Sequence, residues 1–155
     1  MKLSGRFIII IAVLAVILRL VSFHYNHYLN GDVNLFVAVA QNYSAYGNYA
    51  LPFHYNSLIS DTEDPVAGIY QEHYTQHQPL WIITSALAGR AFPRLDMFFI
   101  MKCFSFVCGL LLLFLFTRNT LKDRNIPLTF ILMSFSISLI DYSANGSFYI
   151  LLALL

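Results

Sequence analysis

A chain of 155 residues that is 58% hydrophobic and 11% charged carries about half the charged fraction of an ordinary soluble domain. Its formal net charge of +1 offers no basic surface for nucleic acid, and several apolar runs approach the roughly 20 residues that a spanning helix needs. An ordinary soluble core and a nucleic-acid partner are thereby excluded, and the expected class is all-α, a polytopic membrane helix bundle.

Lys2 and Arg6 precede the apolar run Phe7 to Phe23, which is interrupted by Arg19 and Ser22. The run is longer than a signal-peptide core and lacks a small-residue cleavage site. It therefore reads as a retained spanning helix over 7–28 with its amino end in the cytoplasm. Arg19 lies near the far end, where it can snorkel to the headgroups or face the bundle interior. All five histidines fall between residues 24 and 77, in or beside the only long polar stretch, which is expected to cap the bundle in water.

Val33, Phe36, Val37, Ala40 and Tyr43 recur at helical spacing, which predicts an interfacial amphipathic helix over 32–46. Asp32 is its expected N-cap and Gly47-Asn48 its stop. A helix N-terminus also favours the carboxylate form, so Asp32 is a candidate base or metal ligand as well as a cap. Residues 48–78 form a long aromatic loop of the length that usually carries function. Within it, Glu72 is a candidate second carboxylate. His73 and His77 have the four-residue spacing of a helical metal pair, although no Glu-x-x-His pattern accompanies them.

Pro79 to Phe92 is apolar but only about 21 Å long as a helix, against a hydrocarbon core of about 30 Å. It is expected to be a second interfacial helix over 79–92. Residues 97–117 form a full span, followed by the most basic loop, Thr117 to Asn125, which belongs in the cytoplasm. That placement agrees with 79–92 not crossing. Cys103 and Cys108 lie in the same run, five residues apart on different helix sides, and suggest neither a disulfide nor a metal clip. A further span is expected over 126–141, then a polar turn from Asp141 to Ser147, then the start of another span at 147–155, where the sequence looks truncated. Asn42-Tyr43-Ser44 and Asn145-Gly146-Ser147 match the glycosylation sequon but lie too near the expected membrane surface to be acceptors.

The order of these pieces resembles a known family. A first helix carries an arginine near its outer end. Gly31-Asp32 then leads a helix containing Ala40-Gln41-Asn42-Tyr43, an aromatic loop follows, and His77-Gln78-Pro79-Leu80-Trp81 opens a second short helix. This layout is similar to the N-terminal part of the GT-C glycosyltransferases, the membrane enzymes related to protein O-mannosyltransferases and the lipid A aminoarabinose transferase. The resemblance covers the layout of essentially the whole chain through short, degenerate motifs. It implies two juxtamembrane helices in the first outer loop, with Asp32 matching the first-loop aspartate that serves as base or site organiser. Val33 stands where many relatives have a second acid. Pro79-Leu80 match the Lys-Pro-Pro-Leu type motif, with His77 in the place of Lys, Gln78 in that of the first Pro, and Gln76 where some relatives have Glu. Asp141 stands near an acidic residue that some relatives carry in the next outer loop.

The implied chemistry is inverting sugar transfer from a polyprenyl-phosphate-linked donor to a glycan, lipid or protein acceptor at the outer face of a bacterial inner membrane, with residues 24–96 outside. Asp32 would take the acceptor proton. Arg19, His77 or a divalent metal ion would stabilise the leaving phosphate, with Glu72 and Asp141 as further substrate-binding candidates and Asp32, His73 and His77 as metal candidates. The fragment alone is not expected to be active. Two other classes compete with this one. The first is a non-catalytic membrane assembly or transport subunit whose outer loop binds a partner. The second, a metal transporter using the histidines, lacks an acid or histidine in mid-span.

Overall fold

The computed structural model of the chain describes residues 4–26, 31–50, 79–122, 127–146 and 149–152. All regular structure among these residues is α-helical, as expected, and two of the helices are long and apolar enough to cross a membrane. The chain divides into two units, Met1–Tyr28 with Lys102–Leu155, and Leu29–Met101.

In the first unit, α1 (Gly5–Tyr25) starts where the Ser4 hydroxyl accepts a hydrogen bond from the Phe7 N–H at 3.3 Å, satisfying one of the orphan donors of the first turn. Only Ile8, Ile11, Ala15 and Arg19 are buried on it, while Ile9, Ile10, Val13, Leu14 and Ile17 stay exposed. A helix that is apolar all round yet packs along one stripe suits a lipid surrounding. The stripe forms a core with Leu113 of α4 (Met97–Lys122) and Phe130 of α5 (Pro127–Phe135).

The helix α4 begins in the second unit, and its residues from Lys102 onward belong to the first. It runs to Lys122 rather than stopping at 117. The hydroxyls of Thr117 and Thr120 donate back to the carbonyls of Leu113 and Phe116 at 2.7 and 2.8 Å, so these polar residues continue the helix instead of ending it. Gly109 is buried here. A Cβ at that position would run into the side chain of Ser143, 2.6 Å from its Cβ, so glycine permits the close approach.

The single span expected over 126–141 is instead two helices, α5 and α6 (Ile137–Tyr142), broken at Ser136. Ser136 has φ −59° and ψ 118°, and its hydroxyl accepts from the Leu139 N–H. A serine inside an apolar run thus acts as an N-cap, which no hydropathy window registers. The two pieces are about 14 and 9 Å long, and neither spans alone. The last described element, α7 (Tyr149–Leu152), falls within the further span expected at 147–155, and residues 147–148 and 153–155 lie outside the described residues.

In the second unit, α2 (Gly31–Tyr46) packs against α3 (Pro79–Ala91). Val33, Phe36, Ala38, Val39 and Ala40 are buried on α2 and Trp81, Ile82, Ser85, Ala86 and Gly89 on α3. The buried band of α2 includes Ala38 and Val39 in addition to three positions of the expected stripe. The other two, Val37 and Tyr43, are half-buried. Gly47 ends α2 with φ +72° and donates its N–H to the Tyr43 carbonyl at 3.0 Å, the left-handed stop that glycine adopts without a Cβ clash. At 13 residues, α3 is about 20 Å long. Asp96 caps α4, its carboxylate accepting from the Phe99 N–H at 3.1 Å.

Candidate functional site

Two buried cations of the first unit, Arg19 and Lys102, bond carbonyls of α1 or of its C-cap. At its end, Lys102 is 4% exposed, and its Nζ donates to the carbonyls of Phe23 and Asn26 at 2.7 and 2.6 Å. The same nitrogen lies 4.6 Å from the Phe23 ring centroid. A cation on the last carbonyls of a helix meets the negative end of its dipole. Asn26 in turn donates its side-chain amide to one oxygen of Asp141 at 3.0 Å, and Asn145 donates to the other at 3.2 Å. Asp141 itself is exposed. Its carboxylate is thus oriented by two amides and keeps lone pairs for the hydroxyls of a ligand.

Seven residues back along α1, about 10 Å by helical rise, Arg19 is 1% exposed. Its Nη1 donates to the carbonyls of Ala15 and Ser134 at 3.0 and 3.1 Å. Of the two positions open to it from sequence, headgroup or interior, Arg19 takes the interior. The break at Ser136 is the reason a partner exists: in an unbroken helix the Ser134 carbonyl would accept from residue 138. Two buried atoms beside this contact, Arg19 Nε and Ser134 Oγ, have no hydrogen-bond partner, so the guanidinium is held but not saturated.

In the second unit, the backbone of Asp32 lies in the first turn of α2, one residue inside the helix rather than at the N-cap; its side chain is outside the described residues. Glu72, His73 and His77 also lie outside the described residues. Among the described residues no three histidine, cysteine, aspartate or glutamate side chains converge as a metal site. At the other end of α2, Arg90 of α3 donates its Nε to the Ser44 carbonyl at 2.8 Å and its Nη2 to the Tyr43 carbonyl at 2.7 Å. It also sits 5.5 Å from the Tyr43 ring centroid. Tyr49 stands edge-on to that ring at 6.1 Å, and burial pushes its hydroxyl up to about 12.

Both sequon asparagines are engaged by the chain itself. Asn42 donates its amide to the carbonyls of Asn48 and Ala50 at 3.2 and 2.8 Å, and Asn145 is held on Asp141. The structure therefore brings Asp141 to the end of α1 with Asn26 and Lys102, and seats Arg19 separately against Ser134. The sequence reading passed over Lys102. Its signal was present, as the one charge in the apolar run from Met97 to Phe116, and an ionisable residue inside a span marks a functional position by default. Comparison with family models, curated proteins and solved structures yields no match.

Proposed function

We propose that this chain carries the first spans and first outer loop of a membrane glycosyltransferase of the GT-C kind. In this reading it transfers a sugar from a polyprenyl-phosphate-linked donor with inversion. The observation that carries the reading is the second unit: two short helices, α2 and α3, packed on each other and flanked in sequence by the span-length helices α1 and α4. Asp32 opens the first of the pair. Neither α2 nor α3 has the length to cross a bilayer, and together they make a platform at the water boundary, where a lipid-linked donor must be met.

On that platform Asp32 takes the proton of the acceptor hydroxyl as it attacks the anomeric carbon. The leaving phosphate needs a positive group, supplied by Arg19, by His77 or by a divalent ion. Asp141, oriented by Asn26 and Asn145, hydrogen-bonds the hydroxyls of a sugar. In the full-length protein, Asp32→Asn should abolish transfer of radiolabelled sugar from polyprenyl phosphate while membrane insertion and thermal unfolding stay unchanged. Wild-type turnover by that variant would remove Asp32 from the mechanism.

A further inference from the structure

We infer that the turn joining α3 to α4, together with the exposed side of α3, is an anchor in the headgroup layer of a membrane and favours anionic phospholipid. The inference rests on the membrane reading of α4 and is independent of the transferase chemistry proposed above.

The helix α3 is apolar on two sides. Trp81, Ile82, Ser85, Ala86 and Gly89 are buried on it, and it packs on α2. Leu80 and Leu87 are exposed, and their separation of seven residues, close to two helical turns, puts them on one side. Past the end of the helix the apolar surface continues with Phe92 and Leu95. All four side chains are 47 to 64% exposed. The Phe92 N–H donates to the Ala88 carbonyl at 2.9 Å, and the Leu95 N–H donates to the Phe92 carbonyl at 3.0 Å. The second bond closes a four-residue turn with Pro93 at its second position, which the fixed φ of proline suits. The turn is thus held by its own backbone while it carries two exposed apolar side chains.

Single exposed apolar residues on a protein surface need no explanation, so their position decides. Asp96 follows the turn directly and caps α4, accepting from the Phe99 N–H at 3.1 Å. The helix it starts is long and apolar enough to cross a bilayer, and its apolar run begins at its first residue, Met97. From Met97 to Phe116 that run is about 30 Å long as a helix, the thickness of the hydrocarbon core. The residues just before Met97 therefore lie where hydrocarbon meets water. Lipid is the partner at that level, and Phe92 and Leu95 leave water there by entering the edge of the acyl layer.

The charges around the turn choose the headgroup. From Pro79 to Phe99 the charged residues are Arg90, Arg94 and Asp96, and both arginines are exposed. Asp96 gives one oxygen to the N-terminus of α4, whose partial positive charge offsets the carboxylate. Arg90 is fixed by the Tyr43 and Ser44 carbonyls, neutral partners that leave its charge in place. An exposed guanidinium takes a phosphate through paired N–H donors. The phosphate of phosphatidylcholine is offset by its own ammonium, whereas phosphatidylglycerol stays net negative. Each basic residue near such a surface is worth about fivefold in affinity.

The test reconstitutes the full chain carrying Phe92→Trp in vesicles of equal phosphatidylglycerol and phosphatidylcholine, with one of the two lipids brominated on its acyl chains. Bromine quenches an indole only at close range, and the protein's single tryptophan, Trp81, is buried and supplies the baseline. The new indole should be quenched by lipid, with at least about fivefold preference for phosphatidylglycerol, and be shielded from acrylamide in the water. Arg94→Gln should lower that preference about fivefold, and Arg94→Lys should keep most of it. Equal quenching by the two lipids, or a preference unchanged in Arg94→Gln, overturns the inference. So does an indole quenched by neither lipid, which acrylamide then assigns to water or to a covering protein. Failure of the chain to float with the vesicles overturns the membrane reading of α4 and the anchor with it. Flotation without a lipid preference overturns the anchor's selectivity and leaves that reading standing.

Discussion

The two units use arginine on backbone carbonyls in opposite ways. Arg90 is exposed, and two of its nitrogens each meet one carbonyl at the end of α2. Arg19 is buried, and a single nitrogen is shared between two carbonyls while its Nε stays unpartnered. Position, more than residue type, sets what such a contact is worth. An exposed guanidinium gains little Coulomb energy but gives up little hydration. A buried one gives up nearly all its hydration and must recover it from geometry that Arg19 only half supplies. Lys102 shows the satisfied form of the same arrangement, with both carbonyl partners closer than 2.8 Å. An imperfectly satisfied buried charge is costly for a purely structural role, and in a span such residues mark function.

Three substitutions sharpen this contrast. Lys102→Met should be the most disruptive. It strips the donor from the Phe23 and Asn26 carbonyls in a buried place and should cost about 1.5–3 kcal/mol, the range for hydrogen bonds to charged groups. The loss would be read as a lowered midpoint in detergent unfolding and faster hydrogen exchange at the end of α1. Arg90→Met should cost about 1 kcal/mol, because water can replace the guanidinium at exposed carbonyls. Its effect should be confined to exchange in the last turn of α2. Arg19→Met should change stability by less than about 1 kcal/mol or raise it, since removing a half-satisfied buried charge offsets the lost contact to Ser134. If Arg19→Met proved the most destabilising of the three, Arg19 would be a structural clasp and its candidacy as a phosphate ligand would weaken.

How much of this was legible in the sequence depended on the range of the interaction involved. The end of α2 at Gly47 and the start of α3 at Pro79 were readable because both are local backbone effects. Gly89 and Arg90, near the end of α3, serve contacts that no local reading shows. Gly89 gives room beside Met97 and Ser44, and Arg90 caps a helix more than 40 residues earlier in the chain. The break at Ser136 was hidden for a different reason. Serine in an apolar run is tolerated by a helix as readily as it caps one, and the choice falls to the packing around it. Within the candidate site, the sequence singled out Arg19 and Asp141 but gave no hint of Ser134, Asn26 or Asn145 as their partners. Glu72, His73 and His77 lie outside the described residues.

By itself the sequence determined the all-helical character of the described residues and two of the spans it expected, those of α1 and α4, and it placed the short helices α2 and α3 between them. Composition and helical periodicity are sums over neighbouring residues, so they survive without knowledge of the fold. Tertiary structure alone decided which carbonyls Arg19, Lys102 and Arg90 would meet, that Asp141 would be held by two asparagines, and that one expected span would bend at a serine. Each of those outcomes turns on a hydrogen bond between groups far apart in the chain or on the packing around a residue, and its energy exists only once the helices have come together.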